Sequence, residues 1–486
     1  MHVSTRSKGN IIVSFLVISS ACLALIISTR SGARAASPHI LLSPTYDHPS
    51  ASVRVSESAF GMSETVSITF DATPVGTAVT NSVGAFKTKI TIPGSALPGT
   101  HIIASTGNTT GLTASASFLV ETDWSMIGYN SSHMRVNPYE NVLSPTSVSG
   151  LVQDWSITTL NGSGSEDSVI SDGIIYFYAN PGLVAVNAAT GSLLWSKSIG
   201  AGPATSSPAV ANGIVYVGAF RDTQAYSSLY ALNARTGSLR WIAKGVGPFS
   251  SPTIVGNVLY AGGAKNTVFA LNATTGAVLW SDTLSTIPNY ISDSPAVVNG
   301  VVYIAATTET TTMYALNAST GATLWSTPMG VVEDSSPAVA NGLVYISAED
   351  GLYAFDAVDG SIKWTAPNIT NGIASPAVFN GMVYIGGNGT SYHELFALNA
   401  MTGSVIWTAN TNGNVISSPT EANGVIYVGS MASNLYAFNA IDGTPLWTGA
   451  TGGSIEYPSP VVANGVVYIA SDDYKFYAFH LPNMTP

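Results

Sequence analysis

The chain has 486 residues, enough for two or three domains, and a formal net charge of −11. Only 9% of its residues are charged, and its 16 Lys and Arg residues form no basic run, which argues against nucleic-acid binding. It contains 1 cysteine, Cys22, so no disulfide can form within the chain.

Residues 1–36 are typical of an export signal. Arg6 and Lys8 precede an uncharged apolar run at 11–27, and Ala33-Arg34-Ala35 forms an A-x-A cleavage site. The run is long for a signal core, so an uncleaved membrane anchor is the alternative. We therefore expect a secreted or cell-envelope protein.

Short β-rich stretches occupy residues 40–120. The pattern predicts strands at 52–56, 65–70, 86–92, 100–105 and 112–120, separated by Gly, Pro and Asn turns. This density of strands favours a small β-sandwich. The run "GMSETVSITFDATPVGTAVT" resembles the immunoglobulin-like modules of bacterial surface proteins, which implies a spacer or adhesion unit.

Residues 121–153 form a connector rich in Ser, Asn and Pro. It contains Trp124, the one tryptophan outside the repeats that follow. Exposure of this side chain would be costly, so we expect Trp124 to pack on the next domain. A ligand-stacking role is the alternative.

Residues 154–482 contain one unit repeated along the chain. Each unit has a tyrosine after two apolar residues and then an alanine inside an apolar strand; seven copies end with a tryptophan four residues after a turn glycine. Successive tryptophans are 39 to 46 residues apart, close to the ~40–45 residues of a four-stranded propeller blade. The tyrosines are Tyr176, Tyr216, Tyr260, Tyr303, Tyr345, Tyr384, Tyr427 and Tyr468. The tryptophans, predicted to be structural, are Trp155, Trp195, Trp241, Trp280, Trp325, Trp364, Trp407 and Trp447.

The ends of the repeat region predict how the ring closes. The last tyrosine unit has no tryptophan strand after it, whereas a surplus strand surrounds Trp155 at the start. We expect residues 152–157 to join the last blade as its outer strand, which leaves no long free edge. The prediction is an all-β protein: an eight-bladed β-propeller of four-stranded blades, preceded by a small N-terminal β-sandwich.

The repeat "A-x-N-x-x-T-G-x-x-x-W", as in "ALNARTGSLRW", resembles the tryptophan-docking motif of the quinoprotein alcohol dehydrogenase-like propellers, whose repeats are named for pyrroloquinoline quinone (PQQ). The resemblance covers residues 124–481. It implies one of two function classes. Enzymes of the family hold PQQ and a Ca²⁺ ion over the channel, above a tryptophan floor; other members, including an outer-membrane assembly factor, carry no cofactor.

Loss of the chemistry is the more economical interpretation. Every repeat tryptophan is assigned to docking, the vicinal disulfide of the enzymes cannot form, and no P-loop, HExxH or GxSxG motif is present. We therefore predict no catalytic or cofactor-binding residue, and an exported, monomeric, non-catalytic scaffold for a protein or polymer at the cell envelope. The alternatives are a PQQ- and Ca²⁺-dependent dehydrogenase of alcohols or sugars, and a polysaccharide-binding surface protein.

One face of the predicted propeller is acidic. The loops between blades, and those between the second and third strands, vary in length and emerge on the same face. Four acids lie just before innermost strands on this face: Asp167, Asp293, Asp334 and Glu456. They are candidates for a mouth that binds Ca²⁺ or a basic partner segment. The alternative is that these loops simply carry solvated charge.

Overall fold

The computed structural model describes residues 37–482 except 159–166, 180–181, 200–205, 220–227, 247–249, 286–288, 308–310, 370–371 and 388–393. The predicted export signal lies outside this range. Within it, no helix is long and apolar enough to cross a membrane. The regular secondary structure of the described chain consists of strands and one short 3-10 turn, Val148–Gly150, so the predicted all-β class is confirmed.

The N-terminal region folds as two sheets around a shared core. The strands are β1 (His39–Ser43), β2 (Tyr46–Asp47), β3 (Ser52–Ser58), β4 (Thr65–Phe70), β5 (Thr73–Val79), β6 (Phe86–Thr91), β7 (Gly99–Gly107) and β8 (Thr113–Val120). One sheet has the order β1-β3-β6 and the other β2-β8-β7-β4-β5. Val53, Ile68 and Phe118 are fully buried between them. The immunoglobulin-like assignment stays a prediction.

The sequence pattern missed three strands of this region. The longest is β5, whose side chains are mostly exposed and whose segment contains Pro74 and Gly76. A solvated edge strand with these residues lacks the alternation on which the prediction relied.

The rest of the described chain forms eight sheets with four antiparallel strands each, here called blades 1 to 8 in chain order, and the short connector strand β9 (Val136–Asn137) adds a parallel fifth strand to blade 7. Blades 1 to 4 are β11 (Val169–Ser171), β12 (Ile174–Ala179), β13 (Gly182–Asn187), β14 (Leu193–Ser198); β15 (Ala209–Ala211), β16 (Ile214–Ala219), β17 (Ser228–Asn233), β18 (Leu239–Lys244); β19 (Thr253–Val255), β20 (Val258–Gly263), β21 (Thr267–Asn272), β22 (Val278–Thr283); and β23 (Ala296–Val298), β24 (Val301–Thr307), β25 (Thr311–Asn317), β26 (Thr323–Pro328). Blades 5 to 7 are β27 (Ala338–Ala340), β28 (Leu343–Ala348), β29 (Gly351–Asp356), β30 (Ile362–Pro367); β31 (Ala377–Phe379), β32 (Met382–Gly386), β33 (Glu394–Asn399), β34 (Val405–Asn410); and β35 (Thr420–Ala422), β36 (Val425–Ser430), β37 (Asn434–Asn439), β38 (Pro445–Ala450). Blade 8 is β39 (Val461–Ala463), β40 (Val466–Ser471), β41 (Lys475–His480) and the N-terminal strand β10 (Val152–Thr158).

The first strands of the blades surround a central channel. Each contacts the first strand of the next blade, and β39 contacts β11, so the contacts run in a closed circle. Strand β10 pairs antiparallel with β41, as the surplus strand at Trp155 predicted. The ring is thus closed by joining the start of the repeat region to its end.

A row of three side-chain positions crosses every blade and explains the repeat. In blade 5, Tyr345 pairs with Ala354, which pairs with Trp364. The Tyr345 hydroxyl and the Trp364 indole N–H both donate to the carbonyl of Ala400 in blade 6, at 3.1 and 3.0 Å. One carbonyl with two lone pairs accepts both donors in each of blades 1 to 6. In blade 7 the indole of Trp447 donates to Leu151 O at 2.9 Å instead, and in blade 8 the hydroxyl of Tyr468 alone donates to the next blade, to Ala188 O at 3.3 Å.

The repeat tryptophans are less buried than the pattern suggested. Trp407 is 8% exposed, but the other seven are only partly buried. The reason is position: they lie on outer strands, where one side of the indole faces the rim of the ring.

The ring has two different faces because its strands alternate in direction. The tight turns between first and second strands, and between third and fourth, emerge on one side, called here the tight-turn face. The longer connections, between second and third strands and between blades, emerge on the other, called the variable face.

Candidate functional site

The connector closes the channel at the tight-turn face. Backbone amides of the first strands face the channel, and carbonyls of the connector accept hydrogen bonds from them in successive blades. Each of these hydrogen bonds runs from a backbone amide of the first strand to a connector carbonyl: from Ile170 to Trp124 (2.9 Å), Val210 to Ser125 (2.7 Å), Val297 to Ser131 (2.6 Å), Val339 to Ser132 (2.8 Å), Val378 to Met134 (3.0 Å) and Glu421 to Arg135 (2.9 Å). His133 contacts Thr253 Oγ1 at 2.9 Å in blade 3, and Asn137 donates to Val462 O at 2.9 Å in blade 8. Trp124 is 2% exposed and packs in this plug beside Ile170.

A ring of serines surrounds the channel above the plug. Ser207, Ser251, Ser294, Ser336, Ser375, Ser418 and Ser459 start blades 2 to 8 and are all buried. The amide of one ring residue donates to the side-chain oxygen of the next. These links run from Asp167 to Ser207, Ser207 to Ser251, Ser251 to Ser294, Ser294 to Ser336, Ser336 to Ser375 and Ser375 to Ser418, at 2.9 to 3.0 Å.

Asp167 takes the ring position in blade 1. Its Oδ1 accepts the amide of Ser459 at 2.6 Å, and its Oδ2 lies 3.3 Å from Nη2 of Arg135 in the plug. The Arg135 side chain is 3% exposed. Burial lowers the pKa of its guanidinium, and the charge of Asp167 opposes that effect. The ring therefore contains one buried ion pair whose two charges neutralise each other.

The ring and the plug enclose a cavity of about 260 Å³. Ile127 and Arg135 line it from the plug, the ring residues form its wall, and Asp334 and Tyr457 stand among its lining residues from the variable face. Tyr457 is 46% exposed. The cavity is thus a dead-end pocket with a hydroxyl wall, entered from the variable face.

The four predicted mouth acids occupy four different positions, because each stands at a different distance before its repeat tyrosine. Asp167 and Asp334 both line the cavity, the charge of Asp334 acts on Asp293, and the charges of Asp334 and Glu456 act on Tyr457. Asp167 lies in the ring, paired with Arg135. Asp334 is exposed beside the cavity, and Glu456 is partly buried with its carboxylate 3.5 Å from Ser454 Oγ. Among the described residues, no group of three or more His, Cys, Asp and Glu side chains is arranged to hold a metal ion.

Asp293 is buried inside blade 4 rather than in the mouth. It is 5% exposed, and its Oδ1 has no hydrogen-bond partner. Burial raises the pKa of this carboxyl well above its ordinary value, and the charge of Asp334 adds to the increase. Asp293 lies one residue before Ser294 of the ring, in the segment before strand β23, and it is not among the residues that line the cavity.

Sequence reasoning missed the ring although a signal was present. Asp167 and the seven ring serines all lie nine residues before their repeat tyrosines. The same spacing would have removed Asp167 from the metal candidates by placing it in a serine position. The partner Arg135 had no such signal, because the connector is not part of the repeat.

The cavity does not fit the quinone and Ca²⁺ of the family's enzymes. PQQ carries several carboxylates and needs cationic partners, but the cation among the described lining residues, Arg135, is already paired with Asp167. The repeat tryptophans lie on outer strands, so none of them can form a floor at the channel. The described donor set also offers no carboxylate cluster for the metal.

The closed circle of four-stranded sheets and the tryptophan ties between them define a β-propeller of the quinoprotein alcohol dehydrogenase-like class. Residues 147–366 and 366–483 match the family described as outer membrane protein assembly factor BamB, and the chain belongs to this family.

Relatives of different function share parts of the chain. The tetrathionate hydrolase of Acidianus ambivalens is 30% identical over 135 residues, which are 24% of this chain and 25% of that protein. The dehydrogenase subunit of the quinone alcohol dehydrogenase of Gluconacetobacter polyoxogenes is 27% identical over 210 residues, 37% of this chain and 27% of that one. The crystal structure of BamB from Moraxella catarrhalis is similar in fold, with a TM-score of 0.53 at 20% identity over 68% of this chain and 99% of that one.

Proposed function

We propose that this chain is an exported, non-catalytic scaffold that receives a segment of a partner protein in the pocket on its variable face. The observation that carries the proposal is the dead-end pocket itself. Its wall combines the buried ring serines with Ile373 and Ile416, and its floor contains the neutralised Arg135–Asp167 pair. It therefore offers mainly polar contacts without a nucleophile–base arrangement or a metal cluster among the described residues.

Two further features support a binding role. The tight-turn face is occupied by the connector, so in the part of the chain that the structure describes the pocket opens toward the variable face. The family description, an outer membrane assembly factor, is also compatible with a protein partner at the cell envelope. Envelope location for this chain rests on the predicted export signal and on that family membership.

The rival function is a quinone-dependent dehydrogenase. Purified protein is incubated with PQQ and Ca²⁺, and dye reduction is followed with a panel of alcohols and aldoses. We expect no turnover above that of an Asp334→Asn variant treated identically. Substrate-dependent turnover by the wild type would refute the scaffold proposal.

The partner is tested directly in cells of the source organism. A photo-crosslinking residue is placed at position 457, beside the pocket, and a control at position 363 on the outer strand of blade 5. A protein captured from position 457 but not from position 363 supports docking at the pocket. Equal capture from both positions contradicts it.

A further inference from the structure

This inference rests on the proposed scaffold function and names what the pocket recognises. We propose that the pocket binds a primary ammonium or guanidinium group, presented by a lysine or arginine side chain on an extended segment of the partner protein.

The charges around the pocket favour a cation. Arg135 and Asp167 cancel at the floor, which leaves the Asp334 carboxylate as the uncompensated charge of the lining. None of the ion pairs formed by the described residues includes Asp334. Glu333, Glu456 and Asp472 add further negative charge around Tyr457. An anionic ligand would meet this field without a free cation among the described lining residues.

The serine ring supplies acceptors for such a group. Each of the linked hydroxyl oxygens accepts one amide and keeps a second lone pair and a rotatable proton. An ammonium group has three donors and no acceptor, so it matches a wall of oxygens. Because these serines are at least nine-tenths buried, hydrogen bonds made there are shielded from solvent competition.

Tyr457 supplies an aromatic surface at the same place. The residue is 46% exposed and lies among the pocket residues, near the carboxylate of Asp334. A cation is attracted to the face of an aromatic ring, and acidic neighbours add to that attraction. The hydroxyls and the exposed tyrosine thus support a cation site in addition to the acidic charge.

The size of the pocket favours one side chain over a larger ligand. A volume of about 260 Å³ lies below the ~300–1,000 Å³ of sites for drug-sized molecules. A long unbranched stem with a charged end fits within this volume, while the backbone of the segment stays on the variable face.

The test measures binding of a fluorescein-labelled oligolysine peptide to the purified chain by anisotropy, with an oligoglutamine peptide for comparison. We expect the oligolysine to bind and the oligoglutamine not to bind. Asp334→Asn should weaken oligolysine binding about tenfold, and Tyr457→Leu about threefold. The matched control is Glu349→Gln, which removes the same charge from an exposed residue of the variable face outside the pocket lining and should leave affinity almost unchanged.

The binding data distinguish a specific pocket site from general attraction to an acidic surface. Equal weakening by Asp334→Asn and Glu349→Gln would show general attraction to an acidic surface and overturn the pocket site. Competition by free spermidine at concentrations comparable to the peptide would support the ammonium chemistry but assign it to a small polyamine. Crosslinking at position 457 to a partner without any oligolysine binding would overturn this inference and leave the scaffold function intact.

Discussion

Oδ1 of Asp167 accepts the backbone amide of Ser459 at 2.6 Å, so a side chain of the first blade joins the serine ring to the last blade. Blades 1 and 8 are also the ends of the repeat region, which the chain must bring together without a covalent link. The same carboxylate holds Arg135 of the plug through its other oxygen. One residue therefore connects both ends of the ring to the segment that closes the channel.

We predict that Asp167→Asn destabilises the propeller by about 3–5 kcal/mol, because it leaves the guanidinium of Arg135 buried and unpaired. Urea denaturation followed by tryptophan fluorescence measures the effect. The double variant Asp167→Ser/Arg135→Met should lose much less stability, since it supplies a ring hydroxyl and removes the buried charge of Arg135. If the losses of stability in Asp167→Ser and Arg135→Met simply add in the double variant, the two side chains are not coupled.

The turn glycines next to the repeat tryptophans are predicted to tolerate no side chain. Gly403 has a φ of +70°, and a Cβ there would lie 2.5 Å from Cε3 of Trp364 in the preceding blade. Gly381 is the matched control: its φ is +76°, but a Cβ would meet nothing within 4 Å. Gly381→Ala should cost about 1–2 kcal/mol of backbone strain, and Gly403→Ala about 1–3 kcal/mol more, because the indole must move. Similar melting temperatures for the two variants would argue against tryptophan docking as a tight contact.

The parts of this molecule that the sequence predicted are the parts that repeat. In blade 5 Tyr345 pairs with Ala354 and Ala354 with Trp364, and the same pairs recur in the other blades, so each residue of the repeat marks a local strand register. The closing strand at Trp155 followed from counting these units. The Arg135–Asp167 pair could not be predicted this way, because it joins a single connector residue to one exceptional ring position. The burial of Asp293 was missed because the residue lies in the segment before β23, outside the strands whose alternation the sequence pattern reports.

Asp293 is predicted to reduce stability at neutral pH. The equivalent position is serine in blades 2, 3, 5 and 7; in blade 2 the hydroxyl of Ser206 accepts the amide of Gly218 at 2.7 Å. Because the pKa of Asp293 is raised in the folded protein, folding favours its protonated form. Its contribution is favourable below the ordinary carboxyl pKa of about 4 and is lost as the pH rises through the folded value. Asp293→Ser should therefore stabilise the chain by about 1–2 kcal/mol at pH 8 and much less at pH 4. Calorimetric melting at both pH values provides the test, and a gain independent of pH would assign the effect to packing.

Glu121 is predicted to make the contact between the sandwich and the propeller sensitive to pH. Burial and the charges of Asp123 and Asp172 raise its pKa to about 7, and Arg235 opposes the increase. A carboxyl with a raised pKa loses its favourable contribution as the pH rises through the folded value, so the loss falls between about pH 4 and pH 8. Limited proteolysis within residues 121–123 should accelerate over this range in the wild type. In Glu121→Gln the acceleration should be smaller, and an identical pH profile for both proteins would contradict the assignment.

The two tryptophans Trp155 and Trp325 should respond differently to the same substitution. The indole N–H of Trp325 donates to the carbonyl of Ala357 at 3.1 Å, whereas that of Trp155 is buried without a partner. Replacement by phenylalanine removes a similar apolar area at both sites but loses a hydrogen bond at Trp325 alone. Trp325→Phe should therefore cost about 1 kcal/mol more than Trp155→Phe in urea denaturation. Equal losses would show that these tryptophans stabilise the protein through packing rather than through the indole hydrogen bond to the next blade. In that case the tie between neighbouring blades would rest mainly on the tyrosine hydroxyl, and Tyr303→Phe, which removes the second bond to Ala357 at 3.0 Å, should show the larger loss.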